Sequence, residues 1–225
     1  MSLRLPRRLA ASFLIVPLSL PLTAAQAADP TAGLPQVQES QRFSGEPDRP
    51  RRHYRIQNPA DLSPQEAAAI YRDLAAELAA VYARSDDGLT ARYQTWQRFN
   101  GAPYRSVTHG RRYVNNFANE TARNYARYED AGRFPEGSVV VKDSFVVTED
   151  GEVGPGPLFV MEKMGAGFNY VTGDWRYSMI SAEGKFLGQT NGPGAQRVEF
   201  CIACHLAVED QDHLFFVPEE VRLKP

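Results

Sequence analysis

The chain is predicted to be an α+β protein, an antiparallel β-sheet flanked by helices with a helical N-terminal extension. Three observations carry that prediction. Apolar residues recur at helical spacing between residues 63 and 84, β-branched runs bounded by turn residues fill much of 138–187, and no alternation of strand and helix of the kind that builds a parallel sheet separates those runs.

The N-terminus reads as an export signal. Arg4, Arg7 and Arg8 precede an apolar run from Leu9 to Leu22 that Pro17 and Pro21 interrupt, and Ala25-Gln26-Ala27 supplies small residues at a cleavage site. The run is too short and too broken for the roughly 20 apolar residues a membrane span needs. Removing residues 1–27 from the 225-residue chain takes away three arginines and no acidic residue, so the formal charge moves from −2 to −5. A mildly acidic, exported protein gives no reason to expect nucleic acid as a partner. In a Gram-negative cell its compartment is the periplasm.

Residues 28–62 are rich in Pro, Gln, Arg, Ser and Asp, and read as a flexible or surface-wrapping leader. Within it, Arg49-Pro50-Arg51-Arg52-His53 is expected to be a solvated basic arm. Residues 63–112 are expected to form the helical extension. Ser63-Pro64-Gln65-Glu66 combines an N-cap serine, a proline at the first helical position and a glutamate that closes a capping box. Ala67, Ile70, Tyr71, Leu74, Leu78, Val81 and Tyr82 then fall on one stripe, predicting a helix to about Arg84. The aromatics Tyr93, Trp96 and Phe99 read as core. Among the five arginines from Arg92 to Arg112, one is a candidate partner for a carboxylate-bearing cofactor, because a guanidinium pairs bidentately with that group.

The remaining residues, 113–225, are expected to be the main domain. A second helix is predicted over Asn115 to Asp130, with Phe117, Ala118, Ala122, Tyr125 and Ala126 on one side. Ser138 to Thr148 reads as a largely buried strand ended by Glu149-Asp150-Gly151. Leu158 to Met164 reads as another, and Trp175 to Ser181 as a third that returns through Lys185-Phe186-Leu187 as a hairpin. The glycine-rich loop Gly188 to Gly194 lacks the spacing of a phosphate cradle. A last short strand is predicted at His213 to Val217.

The only two cysteines of the chain lie in Cys201-Ile202-Ala203-Cys204-His205. Two thiols at this spacing reach the two vinyl groups on one porphyrin edge while the next residue, an imidazole, turns under the iron. The pattern therefore predicts one covalently attached haem c, with Cys201, Cys204 and His205 as attachment residues and His205 as the iron ligand. A zinc site lacks a second ligand pair, and a redox C-x-x-C lacks its usual βαβ setting. An electron-transfer cytochrome closes the sixth position with Met or His. No methionine follows the motif, and Met161, Met164 and Met179 are expected to be core. His109 and His213 could reach the iron, although either also reads as a polar surface residue. The expectation is an open distal position.

Lys142 stands out within its strand. It shares a face with Val140, Ser144 and Val146, and a lysine on a buried face is costly unless it is paired, neutral or modified. Alternatively it is an edge-strand lysine facing solvent.

A helix ending in Ala131-Gly132-Arg133-Phe134, then Pro135-Glu136-Gly137-Ser138-Val139-Val140-Val141-Lys142, then Gly173-Asp174-Trp175 and the C-terminal haem motif, together resemble the cytochrome P-460 family and the related cytochromes c′-beta. The resemblance runs over roughly 113–218. It implies a cytochrome P-460-like fold with a five-coordinate haem c, and generally a homodimer. It also implies that Lys142 matches the lysine joined covalently to the porphyrin, and that the reaction is oxidation of hydroxylamine, with electrons passed to a periplasmic acceptor. A distal carboxylate serves as base in active members. Glu199, the acidic residue nearest the motif, is the candidate for it, with a solvated residue as the competing reading. In the c′-beta branch a hydrophobic cap covers a site that binds nitric oxide, and Phe145 or Phe159 is the candidate cap. Simple electron transfer is the third alternative. The stretch 28–112 is longer than the corresponding part of a compact member.

Overall fold

In a computed structural model the described residues are 49–85 and 87–223, so the expected export signal and the first part of the leader lie outside them. Helix α1 spans Pro64–Tyr82 and is started by the capping box: Ser63 Oγ accepts from the Glu66 amide, and the Ser63 amide donates to Glu66 Oε2. A single 3₁₀ turn, Ala83–Ser85, ends it.

Eight antiparallel strands follow: β1 Gln97–Arg98, β2 Tyr104–Arg105, β3 Tyr113–Ala118, β4 Val139–Val147, β5 Val153–Pro155, β6 Leu158–Lys163, β7 Trp175–Ile180 and β8 Phe186–Gln189. Their order across the sheet is β1-β3-β4-β6-β7-β8, with β2 also paired to β3 and β5 to β4. The α+β architecture with an antiparallel sheet is as expected, and β7 and β8 form the expected hairpin. The sheet also reaches back into residues 97–105, ahead of the segment read as the main domain.

The period-2 alternation of β4 separates two cores. Its odd residues Val139, Val141, Phe145 and Val147 pack with α1, against Tyr71, Leu78 and Tyr82. Burying a side chain such as Leu78 completely contributes about 2 kcal/mol. Asp143, on the same side, is buried and accepts hydrogen bonds from Tyr71 Oη at 2.6 Å, Tyr93 Oη at 3.1 Å and Asn115 Nδ2 at 3.0 Å. Those bonds satisfy the carboxyl, yet burial still raises its pKa from 3.8 to about 6. Even residues Val140 and Lys142 face the other side, toward the C-terminal segment.

Two expected elements differ. Tyr113–Ala118 is a strand, and Glu120–Asp130 is a run of 3₁₀ turns that Tyr128, at φ 50°, interrupts. All six residues of β3 are buried, so no alternation marks it, and its two asparagines work as core residues. Asn115 bonds Asp143 and Asn100, while Asn116 Nδ2 donates to Tyr125 Oη. The predicted strand at His213–Val217 joins no sheet. Its carbonyls accept from side chains instead: His213 from His205, Phe215 from Tyr125, and Val217 from Arg222.

Candidate cofactor site

Helix α2, Glu199–His205, presents Cys201, Cys204 and His205 from about two turns. The thiols are not bonded to each other; Cys204 is exposed and Cys201 half-buried. Burial, together with the Cys204 thiol beside it, pushes the Cys201 thiol up to about 12, which disfavours the thiolate that redox exchange requires. The His205 ring is buried, 5.1 Å from Tyr177 and 5.3 Å from Phe215. Its Nδ1 lies 2.7 Å from the carbonyl oxygen of His213. A carbonyl can only accept, so Nδ1 carries the proton and Nε2 keeps its lone pair for a metal. Burial lowers the His205 pKa to about 4, leaving the neutral imidazole that ligation needs.

The carbonyl that fixes this tautomer belongs to an unusual turn. Asp212 and His213 both have left-handed backbone, φ 52° and 64°. Side chains over-determine that conformation. Lys163 Nζ, above the Trp175 ring, bonds both carboxylate oxygens of Asp212 at 2.7 and 2.8 Å, with side-chain exposures of only 10% and 4%. The Phe134 amide donates to Asp212 Oδ2, and Trp175 Nε1 donates to the Asp212 carbonyl. Residue 173 must be glycine, since a Cβ there would sit 2.7 Å from the His213 ring. His213 is thus a backbone acceptor for the expected iron ligand, and its ring does not line the cavity.

Beside α2 lies a small inner cavity of about 30 Å³. Cys201 and His205 line it from α2, Lys142 and Val140 from β4, and Phe159 and Met161 from β6. Lys142 therefore faces the cavity, and burial lowers its amine to about 8 against the opposing influence of Cys204 nearby. Of the two candidate caps, Phe159 lines the cavity, whereas Phe145 is on the opposite face of β4, ring to ring with Tyr71 and Tyr113. Met161, expected as core, packs in the core and also lines the cavity.

Glu199 does not line this cavity. Its carboxylate forms a two-pronged pair with Arg49 at 2.9 and 3.0 Å, and both side chains are more than half exposed. Residues two apart on a helix point in opposed directions, so a position near Cys201 in sequence sets Glu199 away from it.

His53, read from sequence as part of a solvated arm, and His109, read as able to reach the iron or as a polar surface residue, both take part in the lining of the inner cavity. The expected solvated arm holds for Arg51 and Arg52, which are exposed, but not for His53. The His53 ring stacks on His109 at 4.9 Å and meets Phe159 and Phe200 edge-on at 4.7 and 4.6 Å. His109 is buried, and its Nδ1 lies 2.9 Å from Ser106 Oγ and 3.2 Å from Thr108 Oγ1. Burial lowers the pKa of His53 to about 3 and that of His109 well below its usual value, so both rings are neutral. No motif marks either residue. Their one sequence signal is that they are two of only four histidines in the chain.

The segment around His53 crosses the protein as a strap. Arg49 ties it to α2, Arg112 Nη1 donates to the Tyr54 carbonyl at 2.6 Å, and the Ile56 amide donates to the Gly110 carbonyl. Further on, Ala60 bonds Val147 and Pro59 bridges Thr148. Gly110, at φ 76°, is required for this close approach, because a Cβ would meet the Tyr54 oxygen and the Arg112 guanidinium at 2.0 Å. A second, larger cavity of about 260 Å³ borders the strap, lined by Arg52, Arg112 and Arg197 among others. Of the five arginines noted in the sequence, Arg112 alone lines either cavity.

The residues present fit a covalently attached haem. Two thiols and an imidazole of fixed tautomer share one short helix at an apolar cavity, and guanidinium groups suited to carboxylates lie next to it. The buried Tyr177 hydroxyl, which lines the inner cavity, has no hydrogen-bond partner among the described residues, a cost of about 1–3 kcal/mol that an occupant can relieve. In comparisons with known proteins, the family model described as Cytochrome P460 matches residues 90–216, and no curated protein matches the chain.

Proposed function

The chain belongs to the cytochrome P460 family, whose members imply a haem cofactor, and from that premise we propose that it is an exported mono-haem c-type cytochrome that oxidises hydroxylamine at an open iron position. The observation that carries this reading is the Lys142 amine, which lines the same cavity as Cys201 and His205 and whose pKa burial lowers to about 8, so that a larger fraction of it is neutral than of an exposed lysine. A neutral amine is a nucleophile, as a lysine joined to a porphyrin edge must be. Haem supplies a redox-active iron that takes electrons from a small nitrogen–oxygen substrate bound to it.

The chain's own residues do the rest. Cys201 and Cys204 hold the ring by thioethers, and His205 Nε2 binds the iron, with Nδ1–H held by His213. Phe159, Met161 and Val140 keep water out, and Arg112 lies where a carboxylate of the cofactor would find a partner. Electrons leave to a periplasmic acceptor, and the protein works as a homodimer.

Peptide mass mapping of the mature protein, expressed with a haem-attachment system, tests the cofactor reading. Haem is expected on the 201–205 peptide and, through a second bond, on the Lys142 peptide. A Lys142 peptide free of haem removes the cross-link. Steady-state consumption of hydroxylamine with an electron acceptor tests the reaction. A second reading is a nitric-oxide-binding cytochrome of the c′-beta kind, favoured by the Phe159 lining and by the lack of any carboxylate among the residues that line the inner cavity. Nitric oxide binding without hydroxylamine consumption would select it.

A further inference from the structure

A distal base is what the inner cavity lacks in carboxylate form. His205, His53, His109 and Lys142 are its basic groups, of which His205 is committed to the iron and Lys142 to the porphyrin edge. The two remaining histidines differ. His109 has its Nδ1 engaged by the hydroxyls of Ser106 and Thr108, whereas no hydrogen bond ties the His53 ring among the described residues. Its neighbours are the rings of His109, Phe159 and Phe200. His53 also has a position that no other residue shares: it is the one residue common to the inner and the outer cavity. It lies on the strap, ahead of the region 90–216 that carries the family match.

We propose that His53 is the distal residue of the haem site, a gate between the arginine-lined outer cavity and the iron, and a hydrogen-bond partner for the small ligand bound there. The inference rests on the reading of the inner cavity as the haem site. A neutral imidazole can accept from the N–H or O–H of hydroxylamine at one nitrogen and donate from the other. Burial keeps it neutral at physiological pH. Ring contacts hold it without a directional bond, so it can swing aside for a ligand while Arg112 and Gly110 keep the strap in place.

Carbon monoxide is the probe, since it binds reduced haem whatever the natural substrate. In the holoprotein, His53→Ala is expected to speed carbon monoxide association about tenfold, equivalent to about 1.4 kcal/mol of entry barrier. It is also expected to shift the C–O stretching frequency by removing the distal N–H. His53→Phe, which refills the gate, is expected to return association close to wild type while keeping the shifted stretch. Hydroxylamine turnover should fall about 100-fold in both His53 variants.

Unchanged association and stretch in His53→Ala would overturn the proposal. So would a low-spin ferric wild type that becomes high-spin in His53→Ala, because His53 would then be an iron ligand. If the carbon monoxide results appear in a protein that does not consume hydroxylamine, the distal placement stands and the substrate reading alone fails. A 201–205 peptide without haem defeats both.

Discussion

On one side of the inner cavity, His205 is oriented by a hydrogen bond to a backbone carbonyl, and that carbonyl is set in turn by a buried ion pair, two further hydrogen bonds and two left-handed residues. His53 lines the same cavity, surrounded by three rings, one of them Phe200 of α2, and among the described residues no directional contact holds its ring, although its strap is pinned on both flanks. A ligand to iron must not rotate, and electrostatic contacts with sharp geometry prevent it from doing so. A group that admits and releases a small molecule has to move, and ring packing permits motion at little cost. The contrast is between a side chain fixed by directional bonds and one held by ring packing alone, as the proposed roles of iron ligand and gate require.

The largest effect should come from breaking the support of the fixed side chain. Lys163→Met leaves the Asp212 carboxylate buried without its cation, and removal of one partner from such a pair costs about 3–5 kcal/mol. Denaturant unfolding of the holoprotein, followed by haem absorbance, should report that loss. The ferrous iron–histidine stretch should broaden as the His213 carbonyl loses its setting. A loss below about 1 kcal/mol, the value of an ordinary surface pair, would mean that charge does not hold the proximal wall.

A second test acts on β4, the wall that serves both sides, with Lys142 toward the cavity and Asp143 toward α1. The folded pKa of Asp143, about 6, lies above its ordinary 3.8. The folded state therefore binds the proton more tightly than the unfolded chain. Stability from this group is full below about pH 4 and is lost as pH rises through about 6, amounting to about 3 kcal/mol. Urea unfolding at several pH values between 4 and 7.5, for wild type and Asp143→Asn, isolates the contribution. The wild type should lose stability relative to the variant across that window. Parallel curves would place Asp143 outside this linkage.

Legibility in the sequence follows the same division. The cysteine pair and His205 are legible because they are local: five consecutive residues carry both thiols and the imidazole. Lys142 was readable because a lysine in a valine-rich strand is an anomaly of pattern, and the family match over 90–216 agrees with the resemblance first seen in the Gly-Ser-Val-Val-Val-Lys strand. The strand β3 was not readable, because complete burial erased its alternation and its asparagines imitate helix caps. His213–Val217 has the composition of a strand, but side chains take its carbonyls before a neighbouring strand can. The distal side was the least readable. His53 and His109 lie far apart in the chain and far from His205, and only the strap and the turn at Gly110 bring them to one cavity.

Glu199 separates closeness in sequence from closeness in space, and its substitution should have the smallest effect of all. Its carboxylate joins α2 to the strap at the surface through Arg49. Both partners are more than half exposed, which limits such a pair to about 0.2–1 kcal/mol and makes it sensitive to salt. Glu199→Gln should therefore lower stability by less than about 1 kcal/mol, with the difference vanishing in high salt, and should leave hydroxylamine turnover within about twofold of wild type. A 100-fold loss of turnover would make Glu199 the distal base and place it inside the cavity in the working protein. A small, salt-dependent loss of stability with turnover intact would instead leave Glu199 as a surface tie between α2 and the strap.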